Sequence, residues 1–286
     1  MKSFKKVLAV ILCAALIGVL FAGCASSEAA DEITDKTMLI AYTEENTPFI
    51  YTDENGNLTG FDVEVISNIF ESVKGDYDNY KFVQVDEGYV LGEDVAYTDS
   101  EGNDYVADIY CGGMQKDKGT VNEDYYWTDD IISNRVVTVV KDSSITSYND
   151  LGGVTAGVVS DLAAQALDEN AAIKNRLSGV NTYSNLDEAF AALDAGEIGA
   201  VIANDFDLYK NSASSSYTVL KGALKTVNYG FAFDKATGYA DSFNEAITEM
   251  LSPDYGDGDT LTPLVEKYFS NSAACVFTIE TEAESK

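Results

Sequence analysis

Two short segments place polar, chemistry-bearing side chains directly after apolar runs. Residues 154–159 lead into Ser160-Asp161, and residues 199–203 lead into Asn204-Asp205. A carboxylate at the end of a buried strand is a candidate pocket acid. A serine that opens a helix leaves backbone N–H groups free beside it, where an anion can bind. Each segment also has a plainer reading: Ser160-Asp161 as a helix cap, and Asn204-Asp205 as a strand-end turn. Tyr89, Tyr125, Tyr126 and Trp127 offer flat apolar faces to a solute, although the ordinary role of such rings is packing.

The chain has no histidine. That removes the commonest general base and the commonest transition-metal ligand. Asp161, Asp205 and Glu44 are the pocket-acid candidates, and no motif supplies them with catalytic partners. Asp53, Asn55, Asn57 and Glu64 fall on the offsets of a calcium loop, but Leu58 stands where that loop needs glycine. The expectation is a binding protein with no catalytic residues, no metal and no cofactor.

The elements that must position these residues alternate between strands and helices. Apolar runs predict strands at residues 38–42, 80–85, 106–111, 135–140, 154–159, 199–203, 217–220 and 227–233. Phe61, Val65, Ile66, Ile69, Phe70 and Val73 recur at helical spacing behind Gly60. Further helices are expected from Ser160 to Leu167 and at residues 186–195, 239–251 and 262–269. Residues 89–108 read as a hairpin around 99–102. This alternation predicts an α/β protein with mainly parallel sheets.

The N-terminus reads as an export signal. Lys2, Lys5 and Lys6 precede the apolar residues 7–21, a run short of the roughly 20 residues that span a bilayer. Ala22-Gly23-Cys24 resembles a bacterial lipobox, with Phe21 where that motif prefers leucine. The resemblance implies that residues 1–23 are removed and that Cys24 carries lipid, palmitate included. Residues 24–35 are small, polar and acidic, as a flexible tether should be. With 18 basic and 48 acidic residues the net charge is −30, and loss of the three signal lysines takes it to −33. Such a surface repels nucleic acid. Cys111 and Cys275 remain in the mature chain, and an extracytoplasmic site permits either a disulfide or two thiols.

The order of motifs resembles the family 3 solute-binding proteins of polar amino acid ABC importers. The resemblance rests on Pro48-Phe49, Asn55-Gly56, Gly60-Phe61-Asp62, Ala107-Asp108-Ile109, Gly112-Gly113-Met114, Trp127-Thr128-Asp129, Gly157-Val158-Val159, Tyr229-Gly230-Phe231 and Glu266-Lys267-Tyr268-Phe269. It implies a two-lobe, type II periplasmic-binding-protein-like fold with two interlobe crossovers. Lobe one would hold residues 36–131 and 229–270, lobe two residues 132–228, with 271–286 as a tail. It further implies a monomer that captures a small polar solute and delivers it to ABC permease subunits. The solute would meet Thr43, Asn46, Phe49, Tyr89, Gly112, Gly113, Gln115, Ser160, Asp161, Asn204 and Asp205. The lipid on Cys24 would hold the chain at the outer face of the membrane.

Three departures from the family bear on the solute. Amino-acid-binding members carry an arginine shortly after the Gly-Met strand end, to clamp the ligand carboxylate. Residues 114–120 contain only Lys116 and Lys118 as cations. Asp161 follows Ser160 where the family has a hydroxyl-rich, anion-binding turn. Asn46 stands near the place of the usual stacking aromatic. Other readings of the chain are a dehydratase or cell-wall lyase on the same fold, and a surface sensor or docking lipoprotein.

Overall fold

The computed structural model describes residues 33–116, 125–234, 238–252 and 259–277. The signal segment, Cys24, Lys118 and the end of the tail lie outside the described residues. Strands β1 (Thr37–Tyr42), β2 (Tyr51–Thr52) and β3 (Leu58–Thr59) are followed by α1 (Phe61–Val73) and β4 (Asn79–Gln84). The small hairpin β5 (Tyr97–Thr98) and β6 (Asp104–Tyr105) precedes β7 (Ile109–Gln115), β8 (Tyr125–Trp127) and β9 (Ile132–Val140). Next come β10 (Thr155–Val158), α2 (Asp161–Glu169), α3 (Ala171–Lys174), β11 (Gly179–Thr182) and α4 (Leu186–Ala195). Then follow β12 (Ala200–Asn204), α5 (Asp205–Lys210), β13 (Thr218–Val219), β14 (Lys225–Asp234), α6 (Ala240–Leu251) and α7 (Leu261–Phe269).

One strand arrangement occurs twice. In one half the order is β4-β1-β7-β14, with β8 beside β14; in the other it is β11-β10-β12-β9, with β13 beside β9. Each half has three parallel strands and one long antiparallel strand that arrives from the other half. β9 and β14 pair with each other over Ile132–Val136 and Lys225–Tyr229, so one ten-stranded sheet runs through the molecule. The expectation of mainly parallel sheets therefore holds within each half and fails at the crossovers. A strand that carries the chain back between halves must run against its neighbours.

Local sequence explains the elements that matter most. The six apolar residues predicted on one face of α1 are all buried. The helix opens at Gly60, where φ is 133° and a Cβ would lie 2.2 Å from the Phe49 carbonyl oxygen, so only glycine fits. β9 reads Val136-Val137-Thr138-Val139-Val140, and all five residues are buried, as suits a strand covered on both faces. Ser160 caps α2 by accepting from Ala163 N at 3.1 Å, as its position predicts.

The core divides in the same way as the sheet. One apolar cluster joins α1, α6 and α7 to β1, β7 and β14, and another covers the opposite face of that half around Leu39, Val83, Leu91 and Tyr110. Two more clusters cover the faces of the other half, one under α2 and one under α4. Phe206 of α5 crosses this division and is buried in the first cluster. Cys111 and Cys275 are both free thiols, and burial pushes the Cys111 thiol well above its ordinary range.

Candidate functional site

The sheet register brings four strand ends to one place. Because β7 runs antiparallel to β14, its last residue, Gln115, lies opposite Tyr229. Because β12 runs antiparallel to β9, its last residue, Asn204, lies opposite Val136. Across the β9–β14 pair, Val136 faces Lys225 and Ile132 faces Tyr229. The carboxyl ends of β7 and β12 thus reach the same short stretch of the two crossover strands. β1 is parallel to β7 and β10 to β12, so the segments after β1 and β10 arrive there too. Ligands of open α/β sheets bind at such carboxyl ends.

On the first half, the segment after β1 folds over the end of β7. The Asn46 side chain donates to Gly112 O at 2.9 Å. Gly112 and Gly113 have φ of 100° and 78°, and a Cβ on Gly113 would lie 2.6 Å from the Phe49 ring and 2.7 Å from the Asn46 amide. This close approach requires glycine. Below them, one oxygen of Asp62 accepts Gly112 N at 2.8 Å and Gly113 N at 2.9 Å. Burial pushes the Asp62 carboxyl up to about 7, and the two N–H bonds oppose that shift. Thr43 is tied in through its carbonyl, which accepts Gln84 Nε2 at 3.0 Å.

On the second half, Ser160 and Asp161 open α2, with Asp161 exposed. Asn204 caps α5, accepting Asp207 N at 3.0 Å. Asp205 is buried and accepts Arg135 Nε at 2.6 Å. Burial raises the Asp205 carboxyl, and the Arg135 guanidinium opposes the rise. Asn134, the residue before Arg135, accepts Phe206 N at 3.3 Å. Two neighbouring residues of β9 thus fix the start of α5.

The predicted site residues separate into groups. Thr43, Asn46, Phe49, Gly112, Gly113 and Gln115 gather at the ends of β1 and β7, and Ser160, Asp161, Asn204 and Asp205 at the ends of β10 and β12. Phe49 is buried, with its ring 4.8 Å from Tyr229 and 5.3 Å from Phe269. Tyr89 belongs to the excursion after β4, where its hydroxyl accepts Ala107 N at 3.0 Å and its ring meets Tyr110 edge-on. Lys116, the described candidate for a substitute clamp, pairs with Asp130 at 2.7 Å. It lines a cleft of about 700 Å³ with Asp129, Asn228, Asn244 and Glu245. Among the described residues no group of three or more histidine, cysteine, aspartate or glutamate side chains is placed to hold a metal ion.

The chain is similar to the substrate-binding protein of a polar amino acid ABC uptake transporter from Streptococcus thermophilus. The TM-score is 0.60 at 17% identity, over 84% of this chain and 88% of that one. The fold is that of the type II solute-binding proteins. Two curated relatives span nearly the whole chain. The arginine-binding extracellular protein ArtP of Bacillus subtilis is 24% identical over 279 residues, covering 91% of this chain and 96% of that protein. The probable amino-acid-binding protein YxeM of the same organism is 25% identical over 273 residues, covering 91% and 94%. No family model matches the chain. Within this solute-binding fold, no described helix is long and apolar enough to cross a membrane.

Sequence reasoning missed Asp62, Arg135, Asn134 and Phe206 as parts of this region. Asp62 stood in plain view inside Gly60-Phe61-Asp62, yet helical periodicity accounts only for its neighbours. The tandem Gly112-Gly113 was the available signal, since paired glycines within a strand imply a close approach. Nothing in the sequence ties Arg135 to Asp205 across 70 residues.

Proposed function

We propose that this chain is the solute-binding lipoprotein of an ABC importer, and that it captures a neutral or cationic amino acid or related amine. One observation carries the reading: the carboxyl ends of two equivalent sets of parallel strands meet at the two crossover strands. Lobe one comprises residues 36–131 and 229–270, and lobe two residues 132–228. The lobes close on the solute by rotating about β9 and β14, and the permease recognises the closed form. Thr43, Asn46, Gly112, Gly113 and Gln115 meet the solute from lobe one. Ser160, Asp161 and Asn204 meet it from lobe two. Lipid on Cys24 keeps the monomer at the outer face of the cell membrane.

The solute class follows from charge. The segment after β7 lacks arginine, Lys116 is engaged by Asp130, and exposed Asp161 stands in the first turn of α2. A solute carboxylate would meet no free guanidinium there and one opposing carboxylate. The relative ArtP, described as arginine-binding, supports a cationic solute. An enzyme on this fold would need a free pocket acid, whereas Asp205 is paired and Glu44 and Asp161 are exposed.

Calorimetry of the mature chain with arginine, lysine, glutamine and glutamate tests the reading. Arginine, lysine or glutamine should bind at least tenfold more tightly than glutamate, a gap of about 1.4 kcal/mol. Preferential glutamate binding would refute the solute class, and binding of none of the four would count against the function.

A further inference from the structure

The polar groups at the converging strand ends divide unevenly into donors and acceptors. On the first half, Gly112 N and Gly113 N both donate to Asp62, at 2.8 and 2.9 Å, and the Asn46 amide donates to Gly112 O at 2.9 Å. In a trans peptide the C=O points opposite to the N–H, so the same two peptides turn the carbonyls of Cys111 and Gly112 away from Asp62. On the second half, the Asn204 amide donates to Asp207 at 2.7 Å, and Ala163 N, in the first turn of α2, donates to Ser160 Oγ at 3.1 Å. Each of these nitrogen donors already serves an acceptor of the protein itself.

Charge is divided in the same sense. Three described cations lie along this stretch, and each has a carboxylate: Lys116 with Asp130 at 2.7 Å, Arg135 with Asp205 at 2.6 Å and Lys225 with Glu169 at 3.0 Å. Register also turns Arg135 away from the end of β7. Arg135 lies opposite Thr226, whereas Gln115 lies opposite Tyr229, and positions three apart on one strand point to opposite faces. The acids show the reverse. Glu44 beside Thr43, Asp161 beside Ser160, and Asp207 in the first turn of α5 are exposed. Among the described residues no cation pairs with any of the three. One stands on the first half and two on the second.

We propose that the solute is an alkyl amine with two cationic groups and no carboxylate, a diamine or guanidinoalkylamine, that bridges Glu44 of the first half and Asp161 of the second. The inference rests on the solute-binding reading and narrows its solute class. Ammonium and guanidinium groups carry only donors, and the strand ends offer them carbonyls and unpaired carboxylates. A carboxylate accepts only, and it is held by a cation or by uncommitted N–H groups. On the same skeleton it would stand among acceptors and beside Asp161, so the site selects against it by repulsion as well as by lack of a partner. Two cations, one for each half, give the acids of both lobes a partner in the closed form.

The test is calorimetry of the full mature chain with two matched pairs, arginine with agmatine and lysine with cadaverine, whose members differ only in the α-carboxylate. In the pair that binds more tightly, the amine should exceed the amino acid by about tenfold. Pentylamine, which lacks the second charge of cadaverine, should bind about tenfold more weakly than cadaverine. Asp161→Asn and Glu44→Gln, both at exposed positions, should each weaken agmatine more than arginine and so narrow the preference. Equal or tighter binding of the amino acid in both pairs would overturn the inference and leave the importer reading intact. So would pentylamine matching cadaverine, or agmatine affinity unchanged in both variants. Binding of none of these compounds would reject the importer reading, and the inference with it.

Discussion

The backbone N–H of Gly113 donates to the buried carboxylate of Asp62 at 2.9 Å, and that of Gly112 donates to the same oxygen. The end of β7 is therefore held from beneath by a residue of α1, while Asn46 holds it from above through Gly112 O. Three elements meet at two glycines, and the proposed floor of the site is built by the contacts that close the core.

This arrangement predicts a pH-dependent component of stability. The Asp62 carboxyl is raised from 3.8 to about 7, so the native state binds this proton more tightly than the unfolded chain. Its contribution to stability is greatest below the unfolded value and is lost as pH rises through about 7. The full span corresponds to something on the order of 4 kcal/mol. Asp62→Asn keeps the shape and removes the titration. Melting temperatures from pH 4 to 8 should therefore fall less steeply in the variant than in the wild type, and parallel curves would reject the assignment.

Breaking the link between β9 and α5 should destabilise the second half. Arg135 is 45% exposed while Asp205 is 5% exposed. Removing the guanidinium leaves a buried carboxylate without its cation. A fully buried pair costs roughly 3–5 kcal/mol to break and an exposed one at most about 1. Arg135→Met should lie between, at about 1–3 kcal/mol by urea unfolding. Asp205→Asn in the same chain should recover part of that loss. A double-mutant cycle with no coupling would show that the contact contributes nothing.

The fold was legible because its signals are local and periodic. Gly60 opens α1, Ser160 caps α2, and α4 occupies Leu186–Ala195 as the spacing predicts. The hairpin at residues 97–105 follows from its turn residues. The strand ending at Gly112-Gly113 was misjudged, since β7 continues to Gln115. Positive φ marks a bend there, and pairing with β14 resumes beyond it through Met114 and Gln115. The short α5 was read as a strand-end turn because its six residues are too few for a periodic signal. Polar partners far apart in sequence left no trace. Lys116 pairs with Asp130 because β14 carries the segment before β9 to the end of β7, and Arg135 pairs with Asp205 because β9 returns beside the end of β12.

Lys116 supplies the last prediction, which separates an ordinary amino-acid clamp from a structural role. If Lys116 held a solute carboxylate, truncation would remove a charge-assisted hydrogen bond, a loss of roughly 1.5–3 kcal/mol, or about one to two decades in affinity. In the structure its ammonium bonds Asp130 at 2.7 Å, and Asp130 also accepts from Asn228 on β14. The lysine thus ties the end of β7 to the segment that leads into β9 and, through Asp130, to β14. Lys116→Ala should leave arginine affinity within about twofold, well under the tenfold that 1.4 kcal/mol represents. It should lower thermal stability by no more than about 1 kcal/mol, as expected for a partly exposed pair. Asp130→Asn should reproduce the stability loss without changing solute preference. A loss of tenfold or more in affinity for Lys116→Ala alone, with Asp130→Asn silent, would assign the lysine to the solute and restore a carboxylate clamp at the end of β7.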